Sequence, residues 1–309
     1  MLAAVFPGQG SQKPGMGQSL FDDHVAVRAV FEEISDAAGV NIPALCFNSD
    51  EDTLRRTENA QMALYSCGVA AYVALVSEGV RADMFAGHSV GEYAALAAGG
   101  WISITEGARL VLKRGELMAA SGADRPGTMA AVLGLDRAGL EAACKSASTE
   151  TEVVVIANDN CPGQMVISGD TAAVARASAL ASELGAKRVL PLNVSGAFHS
   201  PLMNASAVAM GERLRVVTFM QGKAPVYANV TAQAVTDPGE WPALLEEQLR
   251  SPVRWTESVE AMMAAGATRF VECGVGEVLG GLVRRVSKEV QTAAVFDSAS
   301  LSAFAGGGA

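Results

Sequence analysis

Gly87-His88-Ser89-Val90-Gly91 reads G-x-S-x-G, the pattern of a serine presented on a sharp strand-to-helix turn. The residues before it, Ala82 to Ala86, form a short apolar run preceded by Gly79, and those after it, Glu92 to Ala98, are rich in helix formers. The pentapeptide therefore stands in the strand–turn–helix context its chemistry needs. Glycines flank the serine because side chains there would collide in so tight a turn. A serine at this point projects its hydroxyl outward, and the next backbone N–H is placed to meet a developing oxyanion. The reading points to a covalent acyl-enzyme on Ser89. The alternative is a glycine-rich connection whose serine only caps the helix, since the chain holds 32 glycines in 309 residues.

Outward from the elbow, strand-like and helix-like segments alternate, as in an α/β sheet. Leu2 to Phe6 reads as a buried strand ending in the loop Pro7-Gly8-Gln9-Gly10-Ser11-Gln12. Val25 to Ala38, Gln61 to Glu78 and Thr105 to Ala120 carry helical apolar spacing. After the turn-rich Asp124-Arg125-Pro126-Gly127 the pattern changes to β-α-β-β-α-β, the ferredoxin-like order. Its strands are Met129–Leu133, Val153–Ala157, Met165–Ser168 and Arg188–Leu190, its helices Arg137–Ser146 and Thr171–Leu184, and Asn158 to Gly163 reads as the loop between the middle strands. The expected organisation is a large α/β-hydrolase-like catalytic domain with a parallel sheet, residues 1–126 and 192–309. Into it is inserted a small ferredoxin-like α+β subdomain, residues 127–191. The large-domain pattern resumes with a helix from Pro201 to Leu214, a strand near Val226, a helix from Trp241 to Leu249, a strand Arg269–Cys273 and a helix Glu277–Ser287, and Leu301 to Ala309 reads as a loose glycine-rich tail.

Half the residues are hydrophobic and only 18 % are charged, which suits a compact fold rather than a disordered chain. The formal net charge of −10 argues against nucleic acid, whose phosphates need a basic surface. The five cysteines, at 46, 67, 144, 161 and 273, have no metal or redox spacing and fit a reducing cytoplasm. The N-terminus lacks the layout of a signal peptide. Met62 to Val76 is the most apolar run, shorter than a bilayer span, and reads as a buried helix rather than a membrane segment.

A serine nucleophile needs a general base, and the chain has three histidines. His88 lies inside the turn, where adjacent side chains point apart, and reads as structural. His24, beside Asp22 and Asp23, reads as a helix-end residue. His199, in Ser195-Gly196-Ala197-Phe198-His199-Ser200-Pro201, lies after the serine in a loop leading to a helix, as the base does in serine α/β enzymes. No aspartate stands out as a third member, which leaves a backbone carbonyl as a candidate to orient the imidazole.

Six motifs in order resemble the malonyl-CoA:acyl-carrier-protein transacylase family, which includes stand-alone enzymes of fatty-acid synthesis and the acyltransferase domains of polyketide synthases. They are Phe6-Pro7-Gly8-Gln9-Gly10-Ser11-Gln12, Gly87-His88-Ser89-Val90-Gly91-Glu92-Tyr93, Lys113-Arg114-Gly115, Asn160-Cys161-Pro162-Gly163-Gln164, Ala197-Phe198-His199-Ser200 and Gln248-Leu249-Arg250-Ser251-Pro252-Val253. The resemblance spans about residues 3 to 290. It implies that Ser89 attacks a thioester and His199 takes its proton, with the backbone N–H groups of Gln9 and Val90 as oxyanion donors and a carbonyl of Gln248 orienting the histidine. It implies that Arg114 pairs with the malonyl carboxylate through two parallel hydrogen bonds. Gln61 matches a glutamine near the acyl pocket, although Met62 stands where the family more often has proline, and Asn160 is a further pocket residue. Phe198 forms a bulky wall that disfavours an α-methyl branch, so malonyl is expected over methylmalonyl.

The implied partners are malonyl-CoA and acyl carrier protein, with no nucleic acid and no membrane. No cofactor is implied, because the CoA thioester is a substrate and the phosphopantetheine belongs to the carrier. A basic docking patch is expected among Lys187, Arg188, Arg213, Arg215, Arg284, Arg285 and Lys288. The chain is expected to be monomeric, since no long apolar stripe asks for a partner subunit. Two other readings share the elbow: a serine hydrolase or thioesterase, which calls for an acidic triad member, and a non-catalytic acyl-binding module.

Overall fold

The computed structural model describes residues 1–194 and 196–307, with the backbone alone at 123 and 124. Ser195 of the histidine loop and the last two residues of the expected tail lie outside the described residues. Eleven strands are described: β1 (Leu2–Phe6), β2 (Met84–Gly87), β3 (Gly127–Leu133), β4 (Val154–Cys161), β5 (Gln164–Asp170), β6 (Arg188–Pro191), β7 (Val226–Tyr227), β8 (Ala234–Val235), β9 (Val253–Arg254), β10 (Arg269–Cys273) and β11 (Gln291–Val295). They form two sheets.

The first sheet runs β11-β10-β1-β2-β7-β8, parallel except for the edge pair β7–β8. Strands buried on both faces read as continuous apolar runs, as Leu-Ala-Ala-Val-Phe does in β1. Their alternation sends Ala4, Phe6, Phe85 and Val271 to one face, under the helices Thr57–Ser77 and Gly91–Gly99. It sends Ala3, Val5, Met84, Ala86 and Phe270 to the other, under Trp255–Ala264 and Val278–Val286. Thr57–Ser77 is long and apolar enough to cross a bilayer, but 83 % of its most apolar window is buried inside the fold, so it is a core helix.

The second sheet runs β6-β3-β5-β4-β9. Its first four strands are antiparallel and carry the helices Arg137–Ala147 and Thr171–Glu183 over a separate core built on Val132, Leu140, Ile167 and Ala177. The fifth strand comes from far along the chain: β9 lies parallel to β4, with Val253 beside Asn158 and Arg254 beside Asp159.

Three local expectations need correction. Asn158 to Cys161 is strand rather than loop, because the β4–β5 hairpin closes in the two residues Pro162-Gly163, with Gly163 at φ +73°, and absorbs its irregularity in bulges. The segment from Pro201 begins as a 3-10 turn, Pro201–Met203, before the helix Asn204–Leu214. The tail is helical over Ser298–Gly306: Asp297 and Ser300 form a reciprocal cap, and Leu301 is buried.

Candidate active site

β2 ends at Gly87, the helix Gly91–Gly99 begins four residues on, and Ser89 between them holds φ +54°. A non-glycine residue in this left-handed region is strained and needs outside support. Two glycines make the turn possible. A Cβ on Gly87 would lie 1.9 Å from the carbonyl carbon of Gly91, and one on Gly91 would lie 2.2 Å from the Phe6 carbonyl oxygen. Asn229 supplies the support: its Oδ1 accepts the Ser89 N–H at 2.8 Å, and its Nδ2 donates to the Gly87 carbonyl at 2.6 Å.

His199 comes from the loop after the second sheet and also holds a left-handed backbone, φ +56°. Its N–H donates to the Leu249 carbonyl at 3.1 Å. The helix Trp241–Gln248 ends there, and its last carbonyls lack intrahelical partners. One of them, the Gln248 main-chain oxygen, accepts from His199 Nδ1 at 2.8 Å. That bond puts the proton on Nδ1 and leaves Nε2 as an acceptor, 2.7 Å from Ser89 Oγ. A helix C-terminus also favours the positive charge the imidazole acquires when it takes the serine proton. A carbonyl thus stands where hydrolytic triads place a carboxylate.

Arg114, on the helix Ile104–Asp124, is 1 % exposed. Its guanidinium donates to Gln61 Oε1 at 2.7 Å, Gln248 Oε1 at 2.9 Å and Ser89 Oγ at 3.0 Å. No carboxylate pairs with it directly among the described residues, and its Nε has no partner among them. It lies over the Tyr93 ring, 5.7 Å from the centroid. A buried cation in this state favours an incoming anion. Gln61 sits one side chain behind Arg114, with Nε2 3.3 Å from Met118 Sδ, inside an unbroken helix that Met62 continues.

Burial, and then the charge of Arg114, push the His199 imidazole down to about 3, so it is a neutral base at physiological pH. Burial raises Glu92 to about 7, although Asn229, Gln248 and Arg114 all pull the other way. His88 is pushed below the ordinary histidine value by burial, against its bond from Nε2 to Asn160 Oδ1 at 2.8 Å. That bond occupies the Asn160 carbonyl and leaves its NH2 as the free end.

These groups border a cavity of about 520 Å³. Gln9, Ser89, Val90, Arg114, Asn160, Phe198 and His199 line it, with an apolar wall of Met118, Met129, Ala131, Val166 and Leu192. Neither the Gln9 nor the Val90 N–H donates to an acceptor among the described residues, so both are free to meet an oxyanion. Among the described residues no group of three or more His, Cys, Asp or Glu side chains stands ready to hold a metal. Sequence reasoning missed Asn229 entirely and assigned no role to Glu92, whose Oε1 accepts the Asn229 N–H at 2.7 Å and whose Oε2 accepts from Gln248 Nε2.

The acyl transferase domain model matches residues 4–301. A malonyl CoA-acyl carrier protein transacylase of Bacillus subtilis is 42 % identical over 296 residues, covering 96 % of this chain and 93 % of the relative. The crystal structure of an acyl carrier protein S-malonyltransferase from Vibrio cholerae superposes with a TM-score of 0.94 at 40 % identity, covering 98 % of this chain and 99 % of that one. A malonyl-transacylase solved in complex with a type II polyketide-synthase acyl-carrier protein gives 0.93 at 38 % identity, covering 97 % of both chains.

Proposed function

The chain belongs to the acyl transferase domain family, and from that premise we propose that it moves a malonyl group from malonyl-CoA to the phosphopantetheine thiol of acyl carrier protein through a malonyl ester on Ser89. The observation that carries the residue assignment is the Ser89–His199 pair, 2.7 Å apart, with a buried guanidinium on the serine oxygen.

His199 Nε2 takes the hydroxyl proton as Ser89 Oγ attacks the thioester carbonyl. The oxyanion develops toward the Gln9 and Val90 N–H groups. Collapse expels the CoA thiolate, which recovers a proton from His199. The carrier thiol then attacks the serine ester, His199 accepts and returns the proton in the same way, and Ser89 is restored. Arg114 rotates part of its donor set from Gln61 and Gln248 onto the malonyl carboxylate and orients the acyl group. Phe198 and Asn160 bound the acyl pocket, Phe198 by bulk and Asn160 through its free NH2. The reading favours transfer over hydrolysis because a carbonyl rather than a carboxylate backs the imidazole and Arg114 waits for an acidic acyl group.

Arg213 and Arg215 spend their charge on Glu106 and Glu246, which narrows the carrier-docking reading to Lys187, Arg188, Arg284, Arg285 and Lys288, all exposed. The working assignment is a cytoplasmic monomer that needs no cofactor, serving fatty-acid or polyketide synthesis. Initial rates varied in both substrates test the two-step scheme: parallel double-reciprocal lines are expected, and intersecting lines contradict a malonyl-enzyme intermediate.

A further inference from the structure

Gln248 joins two halves of the site. Its main-chain carbonyl orients His199, while its side-chain amide touches three other groups: Nε2 donates to the Ser89 carbonyl at 2.9 Å and to Glu92 Oε2, and Oε1 accepts from Arg114 Nη2 at 2.9 Å. A side-chain amide can turn over and exchange its oxygen and nitrogen. Turned over here, the NH2 would face the guanidinium, and the oxygen would face the Ser89 carbonyl and the Glu92 carboxylate. Every contact would become like against like. Glu92 is the one carboxyl group in the set, it is 1 % exposed, and its other oxygen holds the Asn229 N–H at 2.7 Å.

We propose that Glu92 is a positioning residue that locks the Gln248 side-chain amide and through it aims Arg114 at the carboxylate of the acyl group. The inference rests on the reading of Arg114 as the carboxylate clamp. Glu92 does not line the cavity itself: it sits beneath the elbow on the helix Gly91–Gly99, and its side chain acts through an amide whose two ends are distinguishable only by hydrogen bonding.

Glu92→Gln keeps the shape and removes the second acceptor. The new amide meets two donors, the Asn229 N–H and the Gln248 NH2, with one oxygen. The Asn229 donor is backbone and cannot turn, because the other end of its peptide unit, the Ala228 carbonyl, is held by the Ala232 N–H at 2.8 Å. The conflict therefore falls on Gln248, which turns over and drives its NH2 against Arg114.

The test compares Ser89 acylation by malonyl-CoA and by acetyl-CoA, which has no carboxylate for Arg114. Glu92→Gln is expected to lower the malonyl-to-acetyl ratio of kcat/KM about tenfold or more, the worth of one hydrogen bond to a charged group, with most of the loss in KM for malonyl-CoA. Gln248→Met removes the same amide from the other side and keeps the main-chain carbonyl, so it is expected to lower the ratio similarly, and the double variant no further. A ratio that stays put in both variants, or rates that fall equally for both donors, overturns the proposal. Arg114→Ala separates the two levels: if it lowers the ratio and Glu92→Gln does not, the positioning role alone fails; if Arg114→Ala itself leaves the ratio alone, the clamp reading fails first.

Discussion

Replacing Arg114 by alanine isolates the role on which selectivity depends. The guanidinium is wholly buried and its bonds of 2.7–3.0 Å reach Gln61, Gln248 and Ser89, so no solvent screens what it contributes. Without it a malonyl carboxylate enters the cavity unpaired. Breaking a buried pair by removing one partner costs about 3–5 kcal/mol, equivalent to a loss of about 10²- to 10⁴-fold in kcat/KM for malonyl-CoA. Acetyl-CoA brings no carboxylate and should lose far less. Lysine should restore little, because a point charge on a flexible stem cannot offer two parallel donors. A second effect has a definite sign. Burial first, and then the charge of Arg114, depress the His199 imidazole, so removing the charge moves its pKa up and shifts the acid limb of acylation to higher pH. The assay is single-turnover acylation followed by intact mass, run with both donors from about pH 2 to about pH 9, a span that includes the His199 value of about 3. Equal losses for the two donors would refute the clamp, and an acid limb displaced to lower pH would refute the electrostatics.

Phe198→Ser should narrow the preference for malonyl over methylmalonyl by about 1–3 kcal/mol, read as the ratio of kcat/KM values; an unchanged ratio removes Phe198 as the wall. Gly91→Ala should destabilise strongly and leave little soluble protein, since its Cβ would lie 2.2 Å from the Phe6 carbonyl oxygen; a normal melting temperature contradicts that packing. Glu272, buried on β10 with Oε1 unpartnered, is raised to about 7 by burial. A raised carboxylate stabilises below its unfolded value of 4.5 and loses that contribution as pH climbs through 7, so Glu272→Gln should raise the melting temperature at pH 8 and change it little at pH 4. His199 has the opposite sign: its depressed pKa means stability is lost as pH falls from 6.5 toward 3, and His199→Gln should flatten that acid slope in a melting series.

The elbow was legible because its constraints are local. Gly87 and Gly91 must be glycine for a strand to turn into a helix there, Ser89 takes the left-handed position between them, and the pattern is contained in five residues. The buried Arg114 was legible only through resemblance, since its burial arises from Gln61, Ser89 and Gln248, which lie 53, 25 and 134 residues away in the chain. Asn229 gave no signal for the same reason: it braces a turn 140 residues distant from within an ordinary Asn-Val-Thr-Ala loop. Glu92 did leave a trace, a lone acid in the first turn of a helix otherwise made of small and apolar residues, but helix-end propensity explains such an acid equally well. Composition misled at two places. The polar Asn158-Asp159-Asn160 reads as loop, yet β9 pairs with it from residues 253 and 254, which no local pattern reveals. The glycine-rich end reads as a tail, yet Asp297 and Ser300 cap a helix whose Leu301 reaches the core.

The covalent step on Ser89 is tested most directly by intact mass of the protein after mixing with malonyl-CoA, with peptide mapping of the adduct, and again after adding phosphopantetheinylated carrier protein. The account predicts a single malonyl adduct on Ser89 that disappears as the carrier gains the same mass, and no adduct on Ser89→Ala. An adduct on another residue, or one that decays to free malonate while the carrier stays unloaded, would contradict it.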